Sequence, residues 1–164
     1  AVSCLVAPEG TIDECNLIFE FSLGCAKKNR DINFIFRFPP IINIDKLISH
    51  NKKFRNLPDN ITISEVSLLD DISRSNVILY RGSSVVIQAV VFGLKPIYLR
   101  VDNELTMDPL YEITEGREIV TNIEEFELSL SKNIDTNIKE ELVNYCKEMY
   151  TPLDISVLEN VLNN

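Results

Sequence analysis

Gly82-Ser83-Ser84 lies between an apolar strand, Val77 to Tyr80, and a helix from Val85 to Phe92 that is apolar on nearly every side. Free backbone N–H groups at the start of a helix, together with its dipole, favour an anion, so this turn is expected to cradle a phosphate. A second turn of similar make-up stands near the start of the chain, Pro8-Glu9-Gly10-Thr11, after the strand Cys4 to Ala7. In open α/β sheets ligands collect at the carboxyl ends of strands, so Glu9, Gly10 and Thr11 are expected to face Gly82 to Ser84 as opposite lips of one crevice. Glu14, one turn into the following helix, suits the positive end of the helix dipole.

The elements that must hold these turns follow from periodicity. Ile12, Cys15, Phe19, Ser22 and Ala26 keep helical spacing after the first turn, and Gly93 stops the helix after the second before a strand at Pro96 to Leu99. Between the two units the spacing predicts a strand over Asn33 to Pro40, a short helix over Ile44 to Ser49, a strand over Ile61 to Ser64 and a helix over Ser67 to Ser75 capped by Ser67. Asp70 and Asp71 read as a solvated face of that helix. Beyond Leu99 a long loop runs through Gly116, followed by a strand at Arg117 to Val120 and a helix from Ile123 to Leu130. Ile138, Leu142, Cys146 and Met149 mark a longer helix, expected to end before Pro152. Strand and helix alternate, which predicts an α/β fold: one Rossmann-like domain over 1–164, its mostly parallel sheet covered by helices on both faces.

The run Gly82-Ser83-Ser84, Gln88-Ala89, Gly93 and Pro96 resembles the donor-binding, carboxyl-terminal domain of a GT-B-type glycosyltransferase, of the kind that serves bacterial surface polysaccharide synthesis. The resemblance implies a nucleotide-sugar site with Gly10, Thr11, Arg37, Arg81, Gly82, Ser83 and Ser84 around the phosphates and Glu65, Val66 and Gln88 at the ribose and base. Asp102, Asn103 and Glu104, in the loop after Leu99, are the candidates for the sugar hydroxyls, with a solvated acidic loop as the plain alternative. The family commonly carries Glu where Gln88 stands, and an amide offers one acceptor in place of two. It also has Arg-x-His-Pro where this chain has Arg37-Phe38-Pro39-Pro40, so Pro39 removes one phosphate ligand, and Arg37 is weighed equally as a phosphate contact and as a surface ion pair.

The same resemblance implies UDP-, CMP- or GDP-linked sugars as substrate, no cofactor or metal, and an amino-terminal acceptor domain in cis or in trans. That missing half would carry any catalytic base, so no catalytic residue is assigned and the domain alone is expected to transfer little sugar. The terminal helix at 151–164 would cross to it. Two other readings stay open: a nucleotide-sugar epimerase of the same architecture, for which Glu9 and Glu14 are the carboxylates at hand, and a degenerate module that works only with a partner.

Bulk composition sets limits. The chain has 164 residues, a net charge of −9 and no window rich in Lys and Arg, which argues against nucleic acid as a partner. No apolar run approaches the roughly 18 residues of a membrane span, and the first residues lack a signal peptide's basic start and apolar core. The expected location is the cytoplasm, with contact to the inner membrane only through the missing half. A start at Ala1 without Met reads as an excised or processed domain. Cys4, Cys15, Cys25 and Cys146 have no C-x-x-C spacing and fall at apolar positions, as reduced core cysteines do; His50, in a polar run, reads as a solvated surface residue.

Overall fold

Successive strand residues point to opposite faces of a sheet, and this chain has apolar residues at both. In the computed structural model Cys4, Val6, Phe34, Phe36, Val77, Leu79, Ile97 and Leu99 fill one core layer, while Leu5, Ala7, Ile35, Ile78, Tyr80 and Tyr98 fill the other. Strands buried on both faces need helices above and below, and the sequence supplies them between strands, which forces parallel pairing through crossovers. The structure describes residues 1–105 and 107–162, with 150–162 as helix backbone only.

The strands are β1 (Val2–Ala7), β2 (Ile32–Phe36), β3 (Ile61–Ile63), β4 (Val77–Tyr80), β5 (Lys95–Leu99) and β6 (Glu118–Val120). They form one sheet in the order β3-β2-β1-β4-β5-β6, and every pairing is parallel. The helices are α1 (Ile12–Lys28), α2 (Ile44–His50), α3 (Leu68–Ser73), α4 (Val85–Val91), α5 (Ile123–Ser131) and α6 (Thr136–Leu162), with a 3-10 turn at Lys52–Arg55. Residues of α1, α2 and α5 pack on the first layer; those of α3, α4 and α6 pack on the second. The expected Rossmann-like architecture is therefore present.

Local chemistry sets the element ends. Thr11, Asn43, Ser67 and Asn122 each accept a hydrogen bond from the backbone N–H three residues on, capping α1, α2, α3 and α5. Gly93 ends α4 at φ 97°, a left-handed conformation open to glycine. β2 is shorter than expected: it stops at Phe36, four residues before Pro40; the Arg37 N–H still donates to the Val6 carbonyl of β1 at 3.1 Å, but Pro39 and Pro40 have no N–H with which to continue the ladder. One further expectation needs correction. The last helix does not end before Pro152 but continues to Leu162, because a proline within a helix removes one hydrogen bond without ending the helix. The expected stripe of Leu153, Val157, Leu158 and Val161, and any crossing by 151–164, concerns side chains outside the described residues.

Among the described residues no helix is long and apolar enough to cross a membrane. All four cysteines are buried and unbridged. His50 is exposed and lies 3.5 Å from the Asp13 carboxylate.

Candidate functional site

The strand order reverses between β1 and β4: from β1 the chain winds outward through β2 and β3, then returns to β4 beside β1 and winds the other way. At such a switch the loops leaving adjacent strands diverge and leave a crevice at the carboxyl edge. A cleft of about 730 Å³ lies there, lined by Glu9, Gly10 and Thr11 after β1, Arg37 to Pro40 after β2, and Gly82 to Val85 after β4. The two glycine turns therefore share one cleft, as their positions in the sequence require.

The two turns come together at Gly82 and the Glu9 side chain. A Cβ placed on Gly82 would collide with the carboxylate of Glu9, so the Glu9 side chain rests where a side chain at position 82 would begin. The Glu9 carboxyl is held above its ordinary range, first by burial and then by the charge of Glu14, with Arg81 acting against both. Ser83 Oγ accepts a hydrogen bond from Val85 N at 3.3 Å, whereas Ser84, the residue before α4, makes no side-chain cap bond and is exposed.

Arg37 reaches the cleft lining but is anchored from behind. Its Nη1 donates to Asp71 Oδ2 at 2.8 Å and to the carbonyl of Val66 at 2.9 Å. Asp71 also accepts from Arg74 Nη2 at 2.7 Å and from Ser64 Oγ, and its side chain is 0% exposed. The reading of Asp71 as part of a solvated helix face is thus corrected: a carboxylate with three donors around it is stable in the interior, and α3 turns this one inward. Asp70 does stay exposed, bonded to Ser67.

Arg81 departs from its expected place among the phosphate contacts. It is 4% exposed and absent from the cleft lining. Its Nε donates to Glu14 Oε2 at 2.9 Å, Nη1 to the carbonyl of Leu99 at 3.1 Å, and Nη2 to Glu104. A guanidinium presents its donors in a planar fork, which lets one side chain tie α1, the end of β5 and the loop beyond it to the phosphate turn. Glu14 is accordingly an ion-pair partner as well as a residue of the first helical turn.

The other sequence candidates are not gathered in the cleft. Glu65 and Val66 are exposed at the end of β3, Gln88 is half-buried along α4, and Asp102, Asn103 and Glu104 are exposed beyond β5; none of them lines it. Asn103 adopts φ 65°, a left-handed conformation that Asn tolerates. Pro8, Phe38 and Leu68 do line the cleft, and sequence reasoning missed them. The signal was present for Pro8 and Phe38, which adjoin singled-out residues, but Leu68 comes from α3, an element that the sequence reading did not bring to the cleft. Among the described residues no cluster of His, Cys, Asp or Glu is arranged to hold a metal.

Against known proteins the chain shows likeness of fold. It superposes on the glycotransferase of kitacinnamycin with a TM-score of 0.61 at 12% identity, covering 92% of this chain and 39% of that one. The UDP-GlcNAc 2-epimerase from Neisseria meningitidis, solved with UDP-GlcNAc, matches with a TM-score of 0.57 at 18% identity over 100% of this chain and 44% of that one. Spinosyn forosaminyltransferase matches with a TM-score of 0.56 at 14% identity over 99% and 44%. The chain thus spans about two-fifths of the length of these structures. No protein-family model and no curated protein sequence matches it. The fold is that of one Rossmann-like half of a GT-B protein, a class that includes these transferases and the epimerase.

Proposed function

We propose that this chain is the donor half of a GT-B-type glycosyltransferase, binding a nucleotide sugar for transfer to a glycan or lipid-linked acceptor in surface polysaccharide synthesis. The observation that carries the reading is the cleft at the β1/β4 switch, where the turns of Gly10 and Gly82 to Ser84 face one another. Backbone N–H groups of these turns, with the hydroxyls of Thr11, Ser83 and Ser84, hold the phosphates that leave with the nucleotide. Arg37, fixed by Asp71, supplies the positive charge at the wall. Arg81 acts one layer further back by tying the turn to α1 and the β5 loop. Glu65, Val66 and Gln88 serve the base and ribose, and Asp102, Asn103 and Glu104 serve the sugar, once the other half of the protein and the ligand draw their loops toward the cleft. The partner half supplies the acceptor site and the catalytic base.

Titration of the 164-residue chain with UDP, CMP, GDP and their sugar conjugates, followed by backbone amide shifts, tests the reading. Selective shifts at Gly10, Gly82, Ser83 and Ser84 with one nucleotide support it and name the base. Absence of shifts with every nucleotide, together with tight association with a separate amino-terminal half, would replace it with the partner-dependent module.

A second reading rests on Glu9. A carboxylate on the cleft wall suits proton transfer, and the fold is shared with a UDP-GlcNAc 2-epimerase. Epimerised sugar, or free nucleotide released without any acceptor, would decide for it.

A further inference from the structure

The Glu9 carboxylate lies directly against the α-carbon of Gly82, on the wall shared by the two turns. An anion seated on Gly82 to Ser84 meets that carboxylate first. Among the described residues, the charged groups facing Glu9 are Glu14 on α1 and Arg81 just after β4, and that guanidinium is ion-paired to Glu14 and Glu104. Arg81 is thus already committed to Glu14 and Glu104 and leaves Glu9 without an ion-pair partner of its own among these.

We infer that Glu9 is a charge gate on the cleft: its carboxylate occupies the approach to the Gly82 turn, and a ligand phosphate is fully admitted only when Glu9 is protonated. The inference rests on the reading of this cleft as a phosphate site. Its physical basis is that two like charges at one half-buried turn repel, so both cannot be held there without cost. Burial and the Glu14 charge already raise the Glu9 pKa above its ordinary value, with Arg81 acting against them; a bound phosphate moves it further in the same direction, and by linkage phosphate binding takes up a proton. Affinity is then fully present below the Glu9 pKa of the free protein and is lost as pH rises through the pKa of the complex.

The test is calorimetric titration of the wild-type chain, Glu9→Gln and Glu9→Ala at pH 5 and pH 8 with UDP-N-acetylglucosamine, GDP-mannose and CMP-sialic acid. The phosphates of these probes are diesters and lack the ionisation at about pH 6 of a monoester, so a pH effect belongs to the protein. For the probe that binds, wild-type affinity is expected to fall roughly tenfold between the two pH values. Glu9→Gln is expected to bind at pH 8 more tightly than wild type does at that pH, with no pH dependence. Glu9→Ala separates charge from bulk, since a gate acting through charge gives Ala and Gln the same gain. Equal, pH-independent binding by all three proteins overturns the gate and leaves the phosphate site standing. Weaker binding by Glu9→Gln at pH 8 also overturns it, by making Glu9 a ligand contact. No binding of any probe by any protein overturns the gate and the phosphate site together.

Discussion

Arg37 Nη1 and Asp71 Oδ2 meet at 2.8 Å, joining a residue on the cleft wall to a carboxylate that is fully buried beneath it. Through Val66 and Ser64 the same pair fixes the loop after β3, so one buried charge orients two neighbouring segments of the carboxyl edge.

Removing the charge from Asp71 leaves Arg37 and Arg74 without their common acceptor. Breaking a buried pair from one side costs about 3 to 5 kcal/mol, and Asp71→Ala is expected at the lower end because both arginines remain partly exposed. Urea unfolding would read this, and a loss under about 1 kcal/mol would mean that the network contributes little.

Arg81 should be as sensitive, and its two carboxylates unequal. Arg81→Ala strands Glu14, and a loss of about 3 kcal/mol is expected. Glu14 is 20% exposed and Glu104 45%, so Glu14→Gln should cost more than Glu104→Gln, which solvent screening keeps within about 0.5 kcal/mol. Thermal unfolding of the three variants in parallel checks the order; equal losses at the two glutamates would refute it.

Gly82→Ala puts a methyl group where the Glu9 carboxylate now rests, and that carboxylate is the far end of a flexible side chain. The fold should therefore lose less than about 1 kcal/mol, while the Glu9 side chain moves. A well-folded variant with shifted Glu9 side-chain resonances is the expected result; loss of folding would show that the turn itself cannot carry a Cβ.

Burial pushes the thiols of Cys15 and Cys25 up to about 12 and that of Cys146 up to about 11, and raises Cys4 as well. The thiolate is the reactive form, so at pH 8 the folded protein should resist iodoacetamide. Mass spectrometry should find no adduct on native protein and four after denaturation. Rapid native labelling of any one thiol would place it outside the core.

Doubling Ser83→Ala with Ser84→Ala should weaken nucleotide binding by about 1 to 3 kcal/mol where both hydroxyls bond the phosphate. Ser83 already caps Val85 N, so a small loss of stability should accompany it. Unchanged affinity would remove the hydroxyls from the site and leave only the backbone.

The sequence by itself determined the layers. Unbroken apolar strands such as Val77 to Tyr80 require cover on both faces, helical spacing between strands supplies it, and Gly93 and Ser67 mark helix ends by local backbone and side-chain chemistry. Local rules also placed both glycine turns at strand ends, and parallel strands bring such ends to one edge. What the tertiary structure decided is where the long charged side chains go. Arg37, Arg81 and Glu14 all stand near the carboxyl edge in the sequence, yet Arg81 turns inward to Glu14 while Arg37 stays on the cleft wall. Asp71 looks no different from Asp70 until α3 docks and buries one of them. A charged side chain of this length reaches several partners from one backbone position, and the partner it takes depends on contacts across the fold that no local pattern records.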